Sequence, residues 1–308
     1  MEQEQAEFTD RAACINCGSS QLERLSSGLF GGEPLRGFID NDPWGVSPLP
    51  HVSQQRWNFV RCAACAQAFH RSILSPAWNE RRLSEWITEE AIRQFLASRE
   101  TPAYLFDRGR HYVEHILRIE HLTRPLRGDQ AVRVLDFGCG WGDFLTACEG
   151  FGFFCCGIDR SPARRQGGRV HILPSLDDLK DVPIAASGFH AITLFEVLEH
   201  LDDPFGVLKA LHGWLVPRGI LVLETPDCTG VVGITTENDY RLINPLDHIN
   251  AFTPSTLSSM AIRAGFERVG SGMAHVGSGP VRAAGAEIKR LLKPILGATT
   301  RQYFRKVL

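Results

Sequence analysis

The sequence predicts an α/β protein whose main domain is a doubly wound parallel sheet. From Val132 onward, short apolar runs alternate with glycine turns and helical stretches, the rhythm of strands joined by crossover helices. The marked polar residues of that half (Asp136, Asp159, Glu196 and Asp227) fall at the carboxyl ends of the apolar runs, where parallel sheets bind ligands. A third observation, two C-x-x-C pairs near the N-terminus, adds a small domain ahead of the sheet.

That first domain is read over residues 1–75. Cys14 and Cys17 form C-I-N-C, and Cys62 and Cys65 form C-A-A-C. Two such knuckles can wrap four thiolates round one tetrahedral ion, which predicts a structural Zn2+ site in a zinc-ribbon-like domain. The loop between the pairs, GGEPLRGFIDNDPWGVSPLP, is longer than compact ribbons use and is expected to protrude. Cys139, Cys148, Cys155, Cys156 and Cys228 lie in or beside apolar stretches and read as buried free thiols. Residues 76–127 read as a helical linker or lid. Leu83, Trp86, Ile87, Ile92, Phe95 and Leu96, then Tyr112, Val113, Ile116, Leu117 and Ile119, recur at helical spacing.

The sheet domain is read over 128–280. VRVLDF, FFCCGID, RVHIL, FHAITLF and GILVLETPD are its strands, and a helix over Asp203 to Leu215 ends at Pro217. The first turn, LDFGCGWGDFL, places Gly138, Gly140 and Gly142 between Asp136 and Asp143. Two carboxylates beside a phosphate cradle repel it, so this turn suits a ligand carrying positive charge. A cationic nucleoside fits better than a dinucleotide.

Composition narrows the class. Of 308 residues, 44% are hydrophobic and 22% charged, with a net charge of -2; this is the balance of a globular domain and tells against a nucleic-acid partner. No run of eighteen apolar residues offers a membrane span, and the polar, acidic start MEQEQAEFTD is not a signal peptide. A cytoplasmic location is expected. The C-terminal stretch 281–308 is a basic amphipathic tail, following the expected end of the sheet. Arg282, Lys289, Arg290, Lys293, Arg301, Arg305 and Lys306 stand against Glu287 alone, beside a stripe of Ile288, Leu291, Leu292, Ile295 and Leu296. It fits either an interfacial helix drawn to anionic lipid at the inner face of the membrane or a helix packed on its own domain or a second subunit.

With these motifs in view, Val132 to Phe266 resembles the class I S-adenosylmethionine-dependent methyltransferases, whose sheet is Rossmann-like. LDFGCGWGDFL resembles that family's glycine motif and GIDRSP its second-strand acidic motif. FHAITLFEVLEHLDDP is similar to the fourth-strand segment of the ubiquinone-biosynthesis O-methyltransferase subgroup. LHGWLVPRGILVLETPD resembles its helix and fifth strand, with Arg218 where that subgroup often has a second glycine. The cysteine pairs are similar to a subgroup with an N-terminal zinc-ribbon.

The resemblance implies methyl transfer from S-adenosyl-L-methionine to a small-molecule, glycan or lipid-linked acceptor, at oxygen. It implies that Gly138, Gly140 and Gly142 lie against the cofactor, that Asp136 faces its methionine end, and that Asp159 accepts the ribose hydroxyls. An N-cap role before Ser161 is the other reading of Asp159. Leu176 and Asp177 stand where the family contacts adenine, and Phe195 lines the methionine channel or is a core aromatic. His200 and His248 are the candidate bases, each with a structural alternative. An RNA methyltransferase using the ribbon, or a non-catalytic cofactor-binding adaptor, are the competing classes.

Overall fold

The computed structural model describes residues 4–43, 45–161, 164–165, 170–270 and 300–308. They divide into two compact units. Unit one gathers Met1–Thr101, Leu198–Pro204 and Pro226–Thr256; unit two gathers Pro102–Val197, Phe205–Thr225 and Leu257–Leu308. The units therefore do not follow chain order. The stretch read as one linker over 76–127 parts at Thr101, and two segments read within the sheet domain belong to unit one.

In unit one, β1 (Phe8–Asp10) pairs antiparallel with β5 (Ser72–Leu74). A second antiparallel sheet joins β2 (Leu22–Leu29), β3 (Arg56–Cys62) and β4 (Ala68–His70), and the short strand Asn250–Ala251 completes its β4 edge. Trp57 and Phe59 of β3 enter a core with Phe30, Trp78 and Trp86. Tyr240, Ile243 and Leu246 bury themselves in the same core, which is why Pro226–Thr256 leaves the sheet domain that flanks it in sequence. Arg11 fastens that insertion, donating to the carbonyls of His70 (3.0 Å) and Ile249 (2.8 Å) and to Asn250 Oδ1 (2.7 Å). The helix Pro76–Arg81 starts at Ser75, whose hydroxyl accepts from the Trp78 amide. Its continuation as a π-turn, Arg82–Trp86, buries Arg82 and Trp86.

Unit two is built on a seven-stranded sheet. Its parallel part runs β10 (Leu215–Thr225), β9 (Phe189–Phe195), β6 (Arg133–Phe137), β7 (Phe154–Ile158), β8 (Ile172–Leu173). The chain lays β6, β7 and β8 outward in one direction, then returns to place β9 on the other side of β6. This reversal makes the carboxyl ends of β6 and β9 the topological switch point, where ligands of such sheets bind. Arg218 adopts φ +63°, the left-handed conformation that glycine takes without cost. It lies, with Pro217, inside an irregularity of β10 between Leu215 and Ile220, so the proline removes no ladder hydrogen bond and the strand begins earlier than its sequence indicates.

The C-terminus corrects an expectation. The strand Thr300–Lys306 lies antiparallel between β10 and the strand Phe266–Val269, so residues 300–306 are part of the sheet and not of a tail beyond it. Tyr303 and Phe304 are buried, and Tyr303 packs with Ile116 and Val222 in the core. Three cations counted in the basic tail are used within this unit: Arg301 Nε donates to Glu224 (3.1 Å), Arg305 stands 3.8 Å from Glu267, and Lys306 donates to the Leu215 carbonyl (2.8 Å). The apolar stripe Ile288 to Leu296 lies outside the described residues. Among the described residues, no helix is long and apolar enough to cross a membrane.

Candidate functional site

The turn from β6 into the helix Asp143–Gly150 is held from below by β7. The amides of Gly138 and Cys139 both donate to the Ile158 carbonyl, at 2.7 and 3.0 Å. A Cβ on Gly138 would stand 2.4 Å from Val197 Cγ2, so that position admits no side chain. Gly140, also left-handed at φ +58°, differs in its surroundings: among the described residues a Cβ there would meet nothing within 4 Å. Its backbone therefore faces open space, as a surface must against which a ligand is to lie. Gly142, also left-handed, is the N-cap residue of the helix.

Asp159, just beyond β7, binds this turn directly. Its Oδ2 accepts from the Gly140 amide (2.9 Å) and its Oδ1 from the Ser161 amide (2.9 Å). Asp159 thus closes a local turn onto Ser161, whose hydroxyl in turn accepts from the Arg164 amide, and the same carboxylate also fixes the glycine loop. Arg164 approaches Oδ2 at 3.4 Å. Asp136, inside β6, is buried and accepts from Thr193 Oγ1 of β9 at 2.6 Å. Burial pushes its carboxyl up to about 7, with the Thr193 hydrogen bond opposing and the Asp159 charge reinforcing the shift. A cation placed beside it favours the ionised form.

Two further positions stand apart from this turn. Leu176 precedes the 3-10 helix Asp177–Asp181, and Asp177 is exposed with its carboxylate 3.0 Å from Lys180. Phe195 belongs to an aromatic cluster, its ring centroid 5.0 Å from Phe144 and 4.6 Å from His115.

That cluster opens onto a polar network that sequence reasoning missed. His111 and His115 lie one turn apart on the helix Pro102–Arg127, and their Nε2 atoms stand 3.5 and 3.3 Å from Glu224 Oε2 on β10. His115 Nδ1 pairs with the Tyr303 hydroxyl at 2.7 Å, and His111 Nδ1 with Arg301. A guanidinium can only donate, so His111 Nδ1 accepts and its Nε2 carries the proton. This trio of possible ligands therefore holds itself together by hydrogen bonds and offers no His111 lone pair to a metal. The i, i+4 spacing in HYVEH was the legible signal, but it resembles ordinary helix packing. Arg108, not singled out in the sequence, stands 3.6 Å from Asp143, and Tyr112, read on the helix's apolar face, packs edge-on against Phe144.

In unit one, His200 and His248 come together. Asp247, next to His248 in sequence, bonds instead to His200: Oδ1 lies 3.0 Å from His200 Nδ1 and 3.9 Å separates Oδ2 from His248 Nε2. Arg82 donates to the same Oδ1 at 2.8 Å. The two imidazoles meet edge to face at 4.8 Å. Burial by itself would neutralise His200, but the Asp247 carboxylate raises it to about 9. Burial and the neighbouring His200 charge push His248 down to about 4. Glu199, His200 and His248 also each offer one ligand atom within 4.8 Å of the others, a set able to take a divalent cation.

The four cysteines of the two knuckles converge as their spacing predicted. Sγ of Cys14 lies 3.5 Å from that of Cys65, and Cys17 from Cys62 likewise. All four are free thiols within 4.8 Å of one another. A tetrahedral ion bound to sulfur at about 2.3 Å sets its ligands about 3.8 Å apart, so the cluster fits a metal.

A family model described as "Methyltransferase domain" matches residues 79–270. The ubiquinone biosynthesis O-methyltransferase of Psychrobacter arcticus is 32% identical over 165 residues, covering 48% of this chain and 64% of that protein. Its namesake from Thiobacillus denitrificans is 31% identical over 167 residues, covering 49% and 70%. The namesake from Xanthomonas campestris is covered over 51% of its length, so the chain spans about half to two thirds of the curated relatives it matches. A solved S-adenosylmethionine-dependent methyltransferase from Archaeoglobus fulgidus is 20% identical, covering 67% of this chain and 100% of its own, with a TM-score of 0.43.

The Glu224 network sets a pH dependence. Burial alone would raise the Glu224 carboxyl, but the His115 hydrogen bond and the Arg301 charge pull it to about 2. Burial holds His111 and His115 near about 4. Between the unfolded histidine value and the folded one, only the unfolded chain binds those protons. Stability should therefore be full above pH ~6.5 and fall as pH drops towards ~4, by at most about 1.4 kcal/mol per pH unit for each histidine. Denaturant midpoints at pH ~5 and ~7 measure the slope, and His115→Asn should flatten it; an unchanged slope removes His115 as its source.

Proposed function

The chain belongs to the methyltransferase-domain family, and on that premise we propose that it transfers a methyl group from S-adenosyl-L-methionine to an oxygen of a small-molecule, sugar or lipid-linked acceptor. The observation that carries the reading is the glycine turn at the sheet's switch point. Gly140 faces open space there, and its amide is fixed by Asp159. S-adenosyl-L-methionine supplies a methyl carbon made electrophilic by its sulfonium. Asp136 favours the positive charge at the methionine end, and Asp159 keeps lone pairs for the ribose hydroxyls. The acceptor oxygen bonds the methyl carbon as the carbon–sulfur bond breaks, and the hydroxyl proton leaves to a base. Orientation and exclusion of water supply most of the rate.

Calorimetry with S-adenosyl-L-methionine tests the cofactor reading. Asp159→Ala removes both the ribose acceptor and the anchor of Gly140, and should weaken binding by about 2–3 kcal/mol. Parent and variant of equal affinity would refute it.

His248 is proposed to take the acceptor proton, with His200, an imidazolium beside Asp247, positioning it. A positioned base contributes on the order of a hundredfold or more. With a phenolic or sugar acceptor found by screening, His248→Ala should lose about that much kcat while keeping its affinity for the cofactor. A full-rate variant would assign His248 a packing role only.

The four cysteines are proposed to hold one structural zinc ion. Freshly purified protein should carry about one zinc per chain, and Cys62→Ser should lose it. Chelation should loosen the ribbon while S-adenosyl-L-methionine still binds. Metal-free protein that was never chelated would count against the site.

A further inference from the structure

The outer face of the ribbon sheet carries a trough of about 390 Å³ lined by Asp10, Leu22, Arg24, Asn58, Val60 and Arg71. The sheet order builds it. β3 runs between β2 and β4, so Asn58 and Val60 occupy the middle strand. Arg24 stands on β2 at one flank, and Arg71, directly after β4, stands at the other. With strands about 4.8 Å apart and Arg24 opposite Val60 but Arg71 opposite Asn58, the two arginine backbones stand about 12 Å from each other, a span that two long guanidinium arms can close. Leu22 and Val60 give the trough an apolar floor, and Val60 packs with Cys14, Cys62 and Phe69, so the floor rests on the cysteine knuckles.

The charge in this trough is not internally balanced. Asp10 is its one acid. Asp10 Oδ1 accepts from Ser72 Oγ at 2.5 Å, and Oδ2 stands 3.9 Å from Arg71, the outer limit of an ion pair. Among the described residues, nothing pairs with the Arg24 guanidinium or with the Asn58 side-chain amide. One whole positive charge and an uncommitted carboxamide therefore converge over apolar floor. A planar carboxylate is satisfied by a single guanidinium fork, whereas a phosphate presents three or more acceptor oxygens and up to two charges to forks arriving from two sides. The volume lies near the lower end of small-molecule sites. It suits one phosphate group with the ring or chain that bears it, and the chain's net charge of -2 does not favour a polyanion.

We propose that this trough binds a phosphate-bearing small molecule, with Arg24 and Arg71 clasping the phosphate from the two flanks of β3 and Asn58 beneath it. The site lies within unit one and does not depend on the methyl-transfer reading. Whether the phosphate belongs to a methyl acceptor or to a separate effector, the recognising chemistry is the same.

The test uses the full chain loaded with zinc and phenyl phosphate as probe. Benzoate and a short single-stranded RNA are the comparison arms. Saturable binding of phenyl phosphate with Kd on the order of 1 mM or tighter is expected, and the double variant Arg24→Gln, Arg71→Gln should weaken it at least about tenfold. Circular dichroism and affinity for S-adenosyl-L-methionine, both unchanged, show that the variant is folded. Should the double variant fail those controls, the single variants Arg24→Gln and Arg71→Gln are each expected to lose several-fold. Parent protein that takes up no phenyl phosphate at about 10 mM overturns the proposal, as does a folded variant, double or single, that binds it as well as the parent. Benzoate binding equal to phenyl phosphate overturns the choice of phosphate, and binding of RNA alone replaces it with a nucleic-acid surface. Repeating the titration with S-adenosyl-L-methionine present separates the sources: a phosphate on a methyl acceptor couples the two affinities, and a separate effector leaves them independent.

Discussion

The hydrogen bond from the Gly140 amide to the Asp159 carboxylate joins the first βα turn of unit two to the end of its second strand, and the conformation of that turn depends on it. A glycine loop in left-handed conformations has many alternatives in the absence of a partner, because glycine loses more freedom on folding than any other residue. Asp159 removes that freedom with one oxygen while its other oxygen holds the Ser161 amide. The Thr193 hydroxyl does the same for Asp136 across the gap between β6 and β9. Both carboxylates are thus positioned by donors before any ligand arrives, and the reversal of strand order sets the switch point beside them. Pre-set dipoles and open backbone are what a charged nucleoside requires of such a site.

Two carboxylate–histidine networks show how neighbours decide protonation. In unit one, Asp247 receives His200 and Arg82, and its negative charge keeps His200 an imidazolium. In unit two, Glu224 receives two histidines as well as Arg301. His111 and His115 stay neutral and act as hydrogen-bond relays to Arg301 and Tyr303. The same residue types yield an ion pair in one place and a neutral lattice in the other. Both carboxylates face an arginine; in unit two burial prevails over the carboxylate at His111 and His115, whereas in unit one the Asp247 charge and hydrogen bond together outweigh it at His200.

Unit one is assembled from distant pieces of chain, and its own terms explain why. A sheet of three short strands over a cysteine cluster buries little apolar surface alone. The insertion Pro226–Thr256 adds Tyr240, Ile243 and Leu246 to its core and an edge strand beside β4. Arg11 then ties that strand's carbonyl and side-chain groups to β4. The long loop between the cysteine pairs is used in the same way: Phe30, Leu35 and Ile39 are buried in that core, so much of what reads as a protruding Gly/Pro segment is interior.

What the sequence by itself determined is what depends on neighbours along the chain. The strand–glycine–helix rhythm, the two cysteine knuckles, the glycines of the first turn and the acid after the second strand are all local patterns, because backbone conformation and side-chain period act over a few residues. Tertiary structure alone decided the rest. Thr300–Lys306 reads as basic tail because Arg301, Arg305 and Lys306 dominate its composition, yet strand pairing with β10 buries Tyr303 and Phe304 between them. His111 and His115 read as one helix face until Glu224 and Arg301, more than a hundred residues away, give them partners. Asp247 reads as the neighbour of His248 and serves His200 instead. Charges and hydrogen bonds act through space, so long-range partners are invisible until the chain has folded.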